Sequence, residues 1–572
     1  MSAVTVIAAL HAFRYDSHVV AVLALFGGFL TPYLLWTETV SLGGLFTYVL
    51  LLDAGVLAIA LRKPGWIWLE PLALVGTYLV FFTWFDSSRP DPGLWAMLGF
   101  VAGFGIRFHG TDLLRIAKGF LEAFDLRRVT AIAHSILLFA ALMSVLQPES
   151  DEARAMGAVT LAALFGASAW YAGRDAARGR FLFGEFMVTA IILLLIAVGI
   201  QFDDFTLLTL WALLCGGIAW AGLRKGRASV WVPAVAFLPL VFLVLLFTPG
   251  AVVYAPAESF RPVWNERALA IASLALSVGL VGVLFRKYAV NQSPHAGEAF
   301  GYGWMAVALF GISVETLDLF VFWMTGVSEA TRAHLAFQRV LALSVVWQLF
   351  ALPLATRGLR LRDRPLFFGP LWIILAAALL ASLRALWYVP IEEFSFLANP
   401  RVAALLITAA SVLLLTRLLA KHRTVFPWVG DFLDPARVLA ILVLLILVST
   451  ETWDYFRHQI ASTAPPGITP LSEGRIEELR NLQQLALSGV WLLFSLLLMG
   501  IGLWKRNRSV RVQSIVIFGA AIIKIFVYDL SFLETLYRIF SFVGLGLILL
   551  MVSYLYQRYR HVILGPPSNP AP

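Results

Sequence analysis

The chain has 572 residues, 60% of them hydrophobic and 13% charged, with a formal net charge of +9 and one cysteine. A water-soluble domain averages roughly 45–50% apolar and about 25% charged residues, so this composition excludes a soluble globular fold. A lone thiol excludes an internal disulfide, and a basic excess spread over short loops excludes a nucleic-acid-binding module.

Apolar runs near the length that crosses a bilayer recur from end to end. In chain order they fall at 18–37, 41–61, 66–85, 93–107, 129–146, 155–172, 182–200, 205–223 and 229–248. They continue at 268–285, 303–323, 340–357, 367–387, 402–420, 438–456, 485–503, 510–529 and 537–556. The reading is an all-α, polytopic transmembrane helical bundle of about 18 helices. Ahead of them, Ser2–Phe13 has neither a basic stretch nor a small-residue cleavage site. It reads as the second half of a helix whose first half is missing, not as a signal peptide. Between 109 and 128, Leu113, Ile116, Phe120 and Phe124 recur near helical spacing with Arg115, Lys118, Arg127 and Arg128 on other faces. That pattern predicts a cytoplasmic amphipathic helix in the interface. Arg457–Gln484 opens on a Pro-rich turn and predicts a charged helix around Glu473–Arg480.

Every second connection is basic, as at Arg62-Lys63, Arg174 to Arg180, Arg286-Lys287, Arg357 to Arg364 and Lys505 to Arg511. The intervening ones are acidic or mixed, as at Asp86 to Asp91, Glu149 to Glu152, Asp203-Asp204 and Glu392-Glu393. The positive-inside rule then puts the basic loops and the C-terminus in the cytoplasm.

One block occurs twice. Glu315-Thr-Leu-Asp318 reappears as Glu451-Thr-Trp-Asp454, Asn265-Glu-Arg267 as Asn399-Pro-Arg401, and Leu341-Ala-Leu-Ser344-Val-Val-Trp347 as Leu485-Ala-Leu-Ser488-Gly-Val-Trp491. The offsets are 136, 134 and 144 residues, so only connections changed length. Trp211, followed by Arg224-Lys225, is a weaker third copy. The pattern predicts parallel four-helix repeats at 262–387 and 396–529, with a degenerate one at 151–250. An N-terminal transmembrane region at 1–150 precedes them, and a last helix with a cytoplasmic tail at 530–572 follows. Parallel repeats occur in some transporters, and duplication that merely enlarges a scaffold is the competing reading.

Arg14-Tyr-Asp16-Ser17, Gly27-Gly28-Phe-Leu-Thr31-Pro32, Pro262-Val-Trp-Asn265-Glu-Arg267 and Leu487-Ser488-Gly-Val-Trp491 carry a resemblance. So do Lys524-Ile-Phe-Val-Tyr-Asp529, Tyr537-Arg538-Ile-Phe-Ser541 and Tyr554-Leu-Tyr-Gln557-Arg558. Over essentially its whole length the chain resembles a large bacterial family of predicted membrane proteins, domain-of-unknown-function family 2339. The resemblance implies membrane class and no activity. Members usually carry more helices before the Arg-Tyr-Asp-Ser stretch, so the chain is expected to be a short or truncated one. They often have a Glu where this chain has Leu214.

Glu315 and Asp318, like Glu451 and Asp454, lie three apart and so share a helix face. A carboxylate at membrane depth costs roughly 2.5–3.5 kcal/mol on insertion scales and must find protein or water. The four are candidate substrate-binding residues for an ion, a proton or a polar solute. The competing reading puts Glu315 and Glu451 at a helix end that reaches the interface. Lys524 is the lysine deepest in a span and joins the candidate set with Asp529. Its depth predicts a pair with Glu451 or Glu315, either as a site or as a structural lock between helices. Gly27, Gly28 and Pro32 are candidates for breaking a helix at a binding site, or for a packed kink.

The histidines lack metal-ligand spacing, and no phosphate loop, dinucleotide turn or nucleophile elbow occurs. No metal, cofactor or catalytic residue is therefore assigned. The expected partners are membrane lipid and a polar or lipid-linked ligand. The leading functional expectation is a non-enzymatic protein with a transporter-like or envelope-assembly role. The alternative is a periplasmic-face lipid-linked sugar or acyl transferase using Asp203-Asp204.

Overall fold

The computed structural model describes residues 11, 14–34, 42–63, 65–87, 93–118, 126–174, 180–288, 295–422, 431–463 and 470–529, with single positions between 543 and 558. These hold seventeen α-helices, two one-turn 3-10 helices and no strand. Fourteen of the helices are long and apolar enough to cross a membrane. A backbone in lipid must satisfy its own hydrogen bonds, which is why apolar runs without a polar face become helices throughout. The run at 537–556 lies largely outside the described residues. Two compact units divide the chain, Met1–Pro249 with Leu276–Gly297, and Gly250–Ala275 with Glu298–Pro572.

The first unit contains α1 (His18–Leu34), α2 (Leu42–Arg62), α3 (Leu69–Ser87), α4 (Leu94–Lys118), α5 (Leu126–Leu146), α6 (Asp151–Ala172), α7 (Arg180–Gln201), α8 (Asp204–Arg224) and α9 (Ala228–Phe247). Sequential helices pack as neighbours, α4 on α5, α6 on α7 and α8 on α9. Phe46, Phe81, Phe104, Phe165 and Phe186 fill its core. α6 starts where Ser150 accepts from the Ala153 amide, with Asp151 and Glu152 in the first turn favoured by the helix dipole.

Two expectations change here. α1 does not break at Gly27, Gly28 or Pro32, because it runs unbroken through all three. Pro32 has no N–H for the Gly28 carbonyl, and the Tyr48 hydroxyl donates to that oxygen at 2.9 Å instead. The second change concerns 93–128. One helix, α4, runs from Leu94 to Lys118, so no interfacial helix begins at His109. Arg107, His109 and Thr111 are buried among neighbouring helices, which carries the helix past the end of its apolar run. Residues 119–125 lie outside the described residues.

The second unit begins at Gly250 and takes in the first turns of α10 (Glu266–Tyr288) and most of α11 (Ala296–Trp323). It continues through α12 (Glu329–Leu361), α13 (Arg364–Ala385), α14 (Pro400–His422), α15 (Leu433–Thr463), α16 (Pro470–Trp504) and α17 (Arg508–Val527). α13 shows how an apolar helix is divided. Trp372, Leu375, Leu379 and Leu383 form an exposed stripe at helical spacing, while Ile374, Ala377, Ala378, Ala381 and Ala385 are buried. The small buried residues let α12 and α14 approach closely. The charged helix expected near Glu473–Arg480 is not separate but forms the opening turns of α16.

A helical hairpin recurs three times, once in the first unit and twice in the second. Each has a Trp on the incoming helix, a Gly eleven residues later and a left-handed residue four beyond that: Trp211, Gly222, Gly226; Trp347, Gly358, Arg362; Trp491, Gly502, Arg506. The Gly carbonyl accepts the amide five residues on, from Arg227, Asp363 and Asn507, at 3.0, 3.0 and 2.9 Å. Each indole donates to the preceding helix, to Leu195 O, Ser313 Oγ or Ser449 Oγ, at 2.8 Å.

Candidate functional site

Two ion clusters in the second unit are built from the same residues at the same spacing. In the first, the segment Gly250–Asn265 leads into α10, and Arg267 lies in the first turn of that helix. Its Nη2 donates to Glu315 Oε1 at 2.8 Å, and its Nη1 to Asp318 Oδ2 at 2.6 Å and to Gly250 O at 3.2 Å. Nε also reaches Glu315 Oε1, at 3.3 Å. The guanidinium carbon lies 5.3 Å from the Tyr254 ring centroid and 5.9 Å from that of Phe260. Asn265 spans the junction. Its Oδ1 caps α10 by accepting from the Ala268 amide at 2.8 Å, while Nδ2 donates to both Glu315 oxygens at 3.1 and 3.0 Å.

The second cluster repeats these bonds with Arg401, Glu451, Asp454 and Asn399. Arg401 Nη2 and Nε donate to Glu451 Oε1 at 2.6 and 3.0 Å, and Nη1 donates to Asp454 Oδ2 and to Ala385 O. Tyr388 and Phe394 flank the guanidinium at 5.4 and 5.7 Å. Asn399 caps with Oδ1 to the Val402 amide and donates to both Glu451 oxygens. In each copy a carboxylate oxygen also accepts a main-chain amide, from Val263 at 3.0 Å and Leu397 at 2.9 Å. Those two residues have positive φ, 67° and 60°. That conformation costs roughly 1–3 kcal/mol for a side chain other than glycine, and the amide-to-glutamate bond holds it.

The arginine side chains are fully buried, and Glu451 and Asp454 are 2% and 0% exposed. A planar fork between two carboxylates and a carbonyl is the geometry in which arginine leaves few N–H groups unsatisfied. Neither glutamate lies at a helix end, since α11 continues past Glu315 to Trp323 and α15 past Glu451 to Thr463. Both clusters are clasps that fasten a loop and the start of one helix to the next.

Lys524 pairs elsewhere than its depth suggested. Its ammonium donates to Asp529 Oδ1 at 2.8 Å, Ser488 Oγ at 2.7 Å and Gln484 O at 3.0 Å. Glu315 and Glu451 are already held by arginine, and Asp529, just past the end of α17, supplies the buried carboxylate instead. The six charged candidates thus form three separate pairs: Glu315 with Asp318, Glu451 with Asp454, and Lys524 with Asp529.

A further polar cluster in the first unit was not anticipated. Asp53 on α2 is fully buried, and its Oδ2 lies 2.8 Å from the Thr77 hydroxyl of α3. Arg107 Nε and Nη2 on α4 donate to the Asp53 carbonyl at 3.2 Å each. Tyr78 Oη meets His134 Nδ1 of α5 at 3.2 Å, and His109 Nε2 meets Ser168 Oγ of α6 at 2.7 Å. Asp53 Oδ1, His134 Nε2 and His109 Nδ1 are buried with no partner among the described residues. Asp53 was visible as the one carboxylate in the run 41–61. Arg107 and His109 were hidden because they fall where the apolar run 93–107 ends and the interfacial helix was expected to begin.

Asp203 and Asp204 are exposed at the start of α8, and Cys215 is buried in the middle of it. Among the described residues no group of three or more His, Cys, Asp or Glu side chains is placed to hold a metal.

The model of a family described as predicted membrane protein, DUF2339, matches residues 1–559. The chain belongs to this family. A search of curated proteins and a search of solved structures each find no match. Membership agrees with a multi-pass architecture and brings no activity to this DUF2339 member.

Proposed function

We propose that this DUF2339 protein is a transporter-like protein of the bacterial inner membrane, acting on a proton or a proton-coupled polar solute through its first unit. The observation that supports this reading is the trio of unpartnered buried atoms, Asp53 Oδ1, His134 Nε2 and His109 Nδ1, on three different helices. A buried polar atom left without a partner costs about 1–3 kcal/mol, which water or a ligand would recover. A scaffold gains nothing from such groups, whereas Asp and His side chains among apolar helices are the usual material of proton relays. Tyr78 and Ser168 link to the two imidazoles and extend the path between helices.

The test is proton flux in proteoliposomes loaded with a pH-sensitive dye, with a potassium diffusion potential as the driving force. Wild-type protein is expected to acidify the lumen. Asp53→Asn, nearly the same shape without a titratable group, is expected to abolish that flux while leaving the protein monodisperse. Equal flux in both, or none in the wild type with or without added polar solutes, would refute the reading.

For orientation we propose a cytoplasmic C-terminus, supported by the alternation of basic and acidic loops. A reporter fused after Arg558 is expected to be active only as a cytoplasmic fusion, and periplasmic activity would reverse the assignment. Residues 262–387 and 396–529 are further read as diverged copies of one four-helix module. The support is that both use the same donors and acceptors around Arg267 and Arg401.

A further inference from the structure

The two clasps differ most at their aspartate. In the second, Asp454 uses both oxygens: Oδ2 takes Arg401, and Oδ1 takes Arg457 Nη1 at 3.0 Å from one turn further along α15. In the first, Asp318 Oδ2 takes Arg267 Nη1 and the Tyr254 amide, while Oδ1 receives no donor among the described residues. The residue one turn after Asp318 is Val321, which has no charge to offer.

The charge count follows from the same substitution. The second clasp sets two guanidinium groups, Arg401 and Arg457, against two carboxylates. The first sets Arg267 alone against Glu315 and Asp318 and keeps one negative charge in excess. Glu315 does not present that charge, because both of its oxygens are engaged by Arg267, Asn265 and the Val263 amide. It is left to Asp318, whose side chain is only 4% exposed. A largely buried carboxylate with a spare oxygen and an uncompensated charge favours a cation beside it.

We propose that Asp318 Oδ1 is a binding site for one small monovalent cation, in the position that the Arg457 guanidinium occupies in the second clasp. The molecule itself displays the ligand chemistry: a single positive charge donated to one aspartate oxygen. The Arg457 side chain is 35% exposed, so the corresponding position in its own clasp is reachable from water. A divalent ion fits poorly, because the deficit is one charge and one free oxygen. The cation has two possible sources, a free alkali ion or the guanidinium or amine head of a solute. The proposal rests on the second unit alone and stands apart from proton movement in the first.

The experiment is thermal unfolding of the purified full-length protein in detergent at constant ionic strength, exchanging choline for sodium in one arm and for millimolar guanidinium in the other. Choline is too bulky to approach a recessed oxygen and serves as the reference. Wild-type protein is expected to show a saturable rise in melting temperature with at least one of the two ions. A response to sodium alone identifies a free alkali ion, and a response to guanidinium alone identifies the head group of a solute. Val321→Arg, which supplies the missing guanidinium internally, is expected to melt higher than wild type in choline and to lose the response. Arg457→Val is expected to add a second saturable response, and it reports on the same chemistry even if Val321→Arg does not fold. The proposal is overturned if the wild type responds to neither ion. It is likewise overturned if a folded Val321→Arg keeps the full response, or if Arg457→Val adds none.

Discussion

Arg401→Ala is expected to be among the most damaging single substitutions in the second unit, lowering stability by about 3–5 kcal/mol. The loss does not measure the attraction of one ion pair. It arises because Glu451 and Asp454, 2% and 0% exposed, stay buried with only Asn399, Arg457 and the Leu397 amide to face them. Arg267→Ala should cost less, since Glu315 is 14% exposed and water can reach the orphaned carboxylate. Fluorescence-detected size exclusion and thermal unfolding in detergent would check both. Arg401→Ala running as a stable monodisperse protein with an unchanged melting temperature would show that the clasp does not hold the unit together.

Gly358→Val is expected to be nearly as severe. A Cβ at Gly358 would stand 2.4 Å from both the carbonyl carbon and the oxygen of Leu366, and 2.6 Å from the Phe367 nitrogen. Those are main-chain atoms of α13 and cannot rotate away, so α12 and α13 must move apart. Overpacking costs roughly 1–3 kcal/mol and more where the backbone has to shift. The equivalent glycines meet main chain as well, Gly222 at Trp231 N, 2.7 Å, and Gly502 at Arg511 N, 3.1 Å. Gly27→Ala is the control, since nothing lies within 4 Å of its added methyl group. If Gly358→Val and Gly27→Ala melt alike, the hairpin is not closed by this approach.

Helix and membrane class could be read directly, because the bilayer forces every apolar run into the same secondary structure. Helix ends could not. Hydropathy reports transfer into lipid, whereas the hydrogen-bond ladder continues into water, so the run 438–456 became Leu433–Thr463. The clasps were half visible. Glu315, Asp318, Glu451 and Asp454 stood out by their cost in an apolar run. Arg267 and Arg401 appeared only as part of a repeated Asn-x-Arg, at a place that looked like a loop. Spacing within one helix predicts which residues share a face, but partners on other helices depend on packing, and that is why Lys524 was given the wrong carboxylates. The Asp53 cluster escaped for the same reason, with its members on α2 to α6 and no local pattern joining them.

In both clasps the central arginine precedes its acids in the chain, Arg267 before Glu315 and Asp318, Arg401 before Glu451 and Asp454, and only Arg457 follows them. The expected consequence lies in the order in which the helices are made. The helix that starts at the arginine leaves the ribosome first and can settle with its cation near the membrane surface, where the long stem reaches water. The acidic helix follows about fifty residues later, a few seconds at ordinary rates of synthesis. Its two carboxylates, each costly to insert alone, then meet a counter-charge already in place. Had the acids come first, they would have waited in lipid without one. The linear order of charges is thus the one expected to spare the acids an unpaired wait, and it is written twice in the same direction.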